Sequence, residues 1–114
     1  MIQVGNVRLT AQWRRFGGDE GVDLQIHVQQ NGTWREAIRF DCFLRHPHYH
    51  LDPYGHERIL DIADPDPLGW SLKQIETQLP ELLAKAGYAN VEIEQDELTA
   101  AFPKIVEMAE AANR

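Results

Sequence analysis

The sequence predicts a single α+β domain, an antiparallel sheet of about four to five strands packed against two C-terminal helices. Two observations carry this reading. Through residues 7–42 apolar side chains alternate with polar ones, the period of a half-buried strand. From Ser71 onward they recur at three- and four-residue spacing, the period of a helix that buries one stripe. Between the two regimes lies Asp64-Pro65-Asp66-Pro67, where two prolines so close continue neither a helix nor the centre of a sheet. A chain of 114 residues suffices for one core and not for two, so residues 1–114 form one domain in this reading.

Each element has its own justification. Val7, Leu9, Ala11 and Trp13 alternate with Arg8, Thr10, Gln12 and Arg14, giving a first strand. Gly17-Gly18-Asp19-Glu20-Gly21 reads as a loop, because glycine accepts the positive φ that turns require. Val22, Leu24, Ile26 and Val28 make a second strand, and Asn31-Gly32 after it is a strong signal for a tight type I′ hairpin. In the third strand Trp34, Ile38, Phe40 and Cys42 share one face, with Arg35, Arg39 and Asp41 on the other. Glu36 breaks that alternation and marks an edge or a bulge. A bend near Arg45–Pro47 precedes a fourth strand over His48–Leu51, a turn at Asp52–Gly55 and a short return strand over Arg58–Ile62.

The helical half begins with a capping box, Ser71 with Gln74, ahead of the stripe Leu72, Ile75, Leu79, Leu82, Leu83 and Ala86. Gly87 ends this helix, which Pro80 kinks or divides. Val91 and Ile93 suggest a short edge strand. Asp96 or Thr99 caps a last helix that carries Leu98, Phe102, Ile105 and Met108.

Composition narrows the function classes. Net charge is −7, unevenly spread: residues 1–50 hold six Arg against five Asp/Glu, residues 51–114 five Lys/Arg against thirteen Asp/Glu. No single basic surface for nucleic acid emerges, although a local arginine cluster is compatible with these numbers. No apolar run approaches the roughly 18 residues of a membrane span, so no membrane partner is expected. The N-terminus lacks the basic-then-apolar pattern of a secretory signal. The one cysteine, Cys42, excludes an internal disulfide and suits a cytoplasmic location, with the thiol as a small core residue.

Chemistry concentrates in Arg39–Glu57, which holds His46, His48, His50 and His56, four of the five histidines. Imidazole titrates near neutral pH and is the commonest metal ligand. On a strand, His48 and His50 start about 6.6 Å apart and can converge on one ion, with a third ligand among His27, Asp41, His56 and Glu57. His46 and His50 lie about 13 Å apart on a straight strand, so all three need a bend to share an ion. No zinc-finger, His-Glu-x-x-His or EF-hand spacing is present, and the identity of any cofactor stays open. Without metal, two histidines serve as general base and general acid on an RNA phosphodiester. Arg39 then stabilises the developing charge and Asp41 orients an imidazole. A plain polar strand face, each histidine bonded locally, is the third reading.

The succession of a hairpin with Asn31-Gly32, then Arg39-Phe40-Asp41, then His46-Pro47-His48 resembles small bacterial TumE-type toxin proteins and their uncharacterised relatives. The resemblance spans about residues 22–57. Arg39, Asp41, His46, His48 and His50 match it, while Cys42-Phe43 departs from the polar, proline-containing link seen there. It implies a toxin–antitoxin or defence role, with a cognate antitoxin or target complex as protein partner. Two functions follow as expectations: a toxin-like enzyme acting on RNA or a nucleotide through His46, His48, His50, Arg39 and Asp41, or a non-enzymatic interaction module. The second uses the acidic helical half or a sheet edge, which would also serve a homodimer.

Overall fold

Six strands follow one another across one antiparallel sheet in chain order, and two helices follow the strands. They are β1 (Ile2–Val4), β2 (Val7–Phe16), β3 (Asp19–Gln30), β4 (Thr33–Phe43), β5 (His48–Leu51) and β6 (Arg58–Asp61), then α1 (Pro67–Lys85) and α2 (Gln95–Ala112). The computed structural model describes residues 1–114. The α+β class and the two C-terminal helices match the expectation, while the sheet has six strands where four to five were expected. The extra strand is β1, three residues long and paired as Ile2–Leu9 and Val4–Val7, too short to show a period in the sequence.

Alternation places Val22, Leu24, Ile26 and Val28 of β3 and Ile38, Phe40 and Cys42 of β4 on one face. There they join Leu72, Ile75, Leu79 and Leu83 of α1 and Leu98, Ile105 and Ala109 of α2 in one buried core. Burying such side chains stabilises a fold by roughly 1.5–3 kcal/mol each, which is why a single face can hold the domain together. The opposite face carries Asp23, Arg39, Asp41, His48 and His50 and has no helix on it.

Local details confirm or correct the sequence reading for physical reasons. Asn31 and Gly32 have φ of 52° and 78°, and the hairpin turns there as expected. The loop expected over residues 17–21 is only the tip Gly17-Gly18; Asp19, Glu20 and Gly21 already pair in β3. The Glu36 irregularity is a bulge: Ile26 pairs with Ile38 and His27 with Glu36, leaving Ala37 as the extra residue. Trp34 is consequently not on the face of Ile38. The bulge reverses the side-chain sense, so Trp34 lies with Glu36 on the helix-free face, where Arg8 stacks 3.9 Å from its ring centre.

Helix α1 starts at Pro67, four residues before the expected capping box. Its cap is Asp66, whose Oδ1 accepts the Gly69 N–H at 3.0 Å, and proline suits the first helical position because its missing N–H would be unpaired there anyway. Ser71 is instead buried within the helix, donating to the Pro67 carbonyl at 2.8 Å. Pro80 sits on the exposed side of one uninterrupted helix and does not divide it. Residues 91–94 form no strand; Val91 and Ile93 pack half-buried against the core in an irregular connection. Neither Asp96 nor Thr99 caps α2, which begins at Gln95 with no side-chain cap; Asp96 and Glu97 lie in its first turn, favourable to the helix dipole. No helix is long and apolar enough to cross a membrane.

Candidate functional site

The bend after β4 decides what the histidines face. Asp19 makes it: its carboxylate accepts the N–H groups of Arg45 at 2.9 Å and His46 at 2.8 Å, holding the chain as it leaves β4. After the bend, His48 pairs with Asp41 and His50 with Arg39, so both imidazoles stand on the helix-free face while Tyr49 and Leu51 turn to the core. The neighbouring side chains Asp41, His48 and His50 then offer ligand atoms within 4.8 Å of one another.

One oxygen is the focus. Asp41 Oδ2 lies 3.1 Å from His48 Nε2, 3.1 Å from His50 Nε2 and 3.6 Å from Arg39 Nε. The far nitrogens are held as well: His48 Nδ1 donates to the His46 carbonyl oxygen at 2.9 Å, and His50 Nδ1 lies 3.0 Å from Glu57 Oε2. The Asp41 and His50 side chains are 3% and 9% exposed and His48 17%, so solvent reaches the cluster mainly past His48. Burial costs such groups their hydration, and their mutual pairing has to offset it.

Around this focus lies a second ring of charge. Asp23 stands opposite Asp41 across β3 and β4, and Arg14 Nη1 bridges them at 3.6 and 3.9 Å. Burial pushes the Asp23 carboxyl above its usual range, against hydrogen bonds from Gln25 at 3.2 Å and Gln12 at 3.4 Å. Burial likewise raises Glu36, although Arg39 donates to it at 3.2 Å. For Arg39 burial works toward a lower pKa, but Glu36, Asp41 and Asp23 outweigh it and the value rises. The hydrogen bond to Asp41 raises His50, against burial and Arg39, with Glu57 assisting. Three buried polar atoms have no hydrogen-bond partner: Asp23 Oδ1, Arg39 Nε and Asp41 Oδ1.

Beside His48 opens a cleft of about 210 Å³ lined by Phe16, Gly17, Asp19, Phe43, His46 and His48. Phe43 is buried outside the main core and meets the His48 ring edge-on, with ring centres 5.7 Å apart.

Of the five residues expected at the site, Arg39, Asp41, His48 and His50 come together. His46 stays apart: it is exposed, and its Nε2 lies 3.0 Å from the exposed Asp61. Of the residues expected as a third ligand, Asp41 is the one whose oxygen lies beside both imidazoles. Glu57 stands behind His50, while His56 is exposed and anchored through its backbone N–H to Asp52. His27 belongs to the Arg8–Trp34 end of the face, where burial and then Arg8 push its pKa down. Arg39 is expected to bind an anion, yet its guanidinium already faces Glu36 and Asp41. Arg14, Asp23, Asp19 and Phe43 escape sequence reading, because only the register brings them to the site.

Fold and site together define an α+β domain with a buried histidine–carboxylate centre on the helix-free face of an antiparallel meander. The chain belongs to the family described as Domain of unknown function (DUF7700), whose model matches residues 1–109. No curated protein and no solved structure matches it.

Proposed function

We propose that this domain is a small toxin-like or defence-associated enzyme whose centre is the Asp41–His48–His50 cluster, acting on the phosphoester of RNA or a nucleotide. The observation that supports this reading is the convergence of two imidazoles on one buried carboxylate beside an open cleft. Ionisable groups cost stability when buried, and a hydrophobic set of the same volume would often hold a sheet equally well. His50, raised by its bond to Asp41, is a perturbed group, and such groups gather at functional sites more often than elsewhere. Phosphoester cleavage needs a proton acceptor, a proton donor and positive charge for the phosphorane oxygens. The Asp41–His48–His50 centre beside the cleft is the place for proton transfer, and Arg14 at the rim of the charged face supplies positive charge. The single buried Cys42 fits a reducing compartment such as the cytoplasm.

The test is growth of a bacterial host expressing the wild type, His48→Ala, His50→Ala and Arg14→Ala, with folding checked by circular dichroism. Growth inhibition by the wild type, lost in folded single variants, is the expected result; loss of a proton-transfer group costs a factor of about 10²–10⁴ in rate. Inhibition that survives all three changes contradicts it.

A second reading has its own support. Glu92, Glu94, Asp96 and Glu97 are exposed in the connection to α2 and its first turn, an acidic surface suited to a basic protein partner. Stable capture of such a partner, with no growth inhibition, would make the domain an interaction module.

A further inference from the structure

Each imidazole in the cluster is oriented from behind by an acceptor. A backbone carbonyl only accepts, so the His46 oxygen 2.9 Å from His48 Nδ1 places the ring proton on Nδ1. The Nε2 of a neutral His48 is then a bare lone pair, and it points at Asp41 Oδ2 from 3.1 Å. Glu57 stands in the same place behind His50: its Oε2 lies 3.0 Å from Nδ1, while Nε2 faces the same Asp41 oxygen at 3.1 Å. Both Nε2 atoms thus face one carboxylate oxygen, an arrangement that a proton or a metal ion between them can hold.

The surrounding charge points the same way. Asp23, Glu36, Asp41 and Glu57 stand around the two imidazoles with two guanidiniums, Arg14 and Arg39, among them, an acidic surrounding compatible with a bound cation. The second oxygen of Asp41 is buried and has no hydrogen-bond partner, which leaves that carboxylate with capacity to spare.

We propose that His48 Nε2, His50 Nε2 and the Asp41 carboxylate form a three-ligand site for one divalent transition-metal ion of the zinc class. The ligand set suits it: imidazole and carboxylate bind zinc, cobalt, nickel and iron, whereas magnesium and calcium prefer oxygen alone. The spacing suits it too. Metal–ligand bonds of about 2.0–2.1 Å in a tetrahedron put neighbouring ligand atoms about 3.3 Å apart; the two Asp41–imidazole separations are 3.1 Å and all three atoms lie within 4.8 Å of one another, so the imidazoles have only to close on the ion. Ligand histidines held through the far nitrogen by a carbonyl or a carboxylate are the usual outer arrangement, and the His46 carbonyl and Glu57 provide one of each. Three protein ligands leave a coordination position open, as in catalytic rather than structural sites. His48, the most exposed of the three, is the ligand that borders the Phe16–Phe43 cleft, so the open position belongs on that side.

This inference builds on the cluster being the functional centre, but its test does not depend on activity. Tag-free protein is stripped with a chelator and titrated with zinc and with cobalt(II), reading bound metal by elemental analysis and cobalt by its visible absorption. The expected result is one equivalent of either metal, an intense tetrahedral-type cobalt spectrum and a raised melting temperature that chelator reverses. His48→Ala and His50→Ala should each weaken binding by at least 10-fold, and Glu57→Gln by about 10–100-fold through the lost support. His46→Ala and His56→Ala should bind as the wild type does. Asp41→Asn is informative only if it folds; the more exposed His48→Ala variant keeps the test decisive. Binding of less than about a tenth of an equivalent, or binding unchanged in folded His48→Ala and His50→Ala, overturns the site. Metal bound without growth inhibition removes the enzyme reading and leaves the site standing, while inhibition by metal-free protein in a chelated assay does the reverse.

Discussion

At the scale of single residues, Asp41 and Asp19 do different kinds of work. Asp41 collects two imidazole nitrogens and the guanidiniums of Arg39 and Arg14, whereas Asp19 collects backbone donors and shapes the bend that delivers those imidazoles. Burial alone would raise the Asp19 carboxyl, but the N–H groups of Arg45, His46 and Glu20, helped by the Arg45 charge, bring it below its ordinary 3.8. A carboxyl held lower in the folded state stabilises that state above its unfolded pKa, and the contribution is lost as pH falls through the folded value. Asp19→Asn should therefore lower the melting temperature at neutral pH, and the gap to the wild type should shrink as pH drops below 3.8. Thermal melts across that range provide the check, and a gap that stays constant with pH would contradict this account of Asp19.

At the scale of elements, the β3–β4 hairpin sets which side chains meet. The tight turn at Asn31-Gly32 starts the register with Gln30 opposite Thr33, and the single extra residue at Ala37 shifts it so that Asp23 comes opposite Asp41. Without that bulge Asp23 would face Phe40, and the charged face would not assemble. The turn is readable because asparagine and glycine tolerate positive φ, and Glu36 marks the irregularity. Counting the bulge into the register would also have found the Asp23–Asp41 pair. Trp34 shows the limit of unbroken alternation: a bulge three residues away inverts its side, and Glu36 marks the irregularity without telling a bulge from an edge. Similarly, Ser71 with Gln74 imitates a helix start, but Asp66-Pro67 four residues earlier offers both a capping carboxylate and a preset φ, and it prevails. The same hairpin yields a sharp steric prediction. Gly21 pairs with Phe43, and a Cβ there would run into the Cys42 carbonyl oxygen and come within 2.8 Å of Phe43 Cα. Gly21→Ala should destabilise the protein by about 1–3 kcal/mol in urea unfolding, as overpacked sites do. An unchanged midpoint would mean that β3 and β4 separate more easily than this packing allows.

For the whole molecule, the division of labour runs between the two faces of one sheet. The helix-covered face supplies the stability, since nearly all the fully buried large apolar side chains lie there or in the helices packed on it. That surplus lets the other face hold Asp23, Glu36, Asp41, Arg39 and His50 largely out of water. Period and composition made the two-layer architecture legible, because the switch from two to 3.6 residues is long and strong on both sides. The candidate centre was legible only as a list of residues. Its geometry depends on a bend fixed by Asp19, some 30 positions from His50, and on a one-residue bulge, and long-range pairings of that kind leave no periodic trace. A central claim remains: the Asp41–His48–His50 cluster is built to hold a cation. The most direct measurement is anomalous diffraction from crystals of zinc-loaded protein, recorded on both sides of the zinc absorption edge. We expect one strong peak about 2.0–2.1 Å from His48 Nε2, His50 Nε2 and an Asp41 oxygen. Zinc-loaded crystals with no peak among these three residues, and Asp41 still in direct contact with both imidazoles, would contradict it.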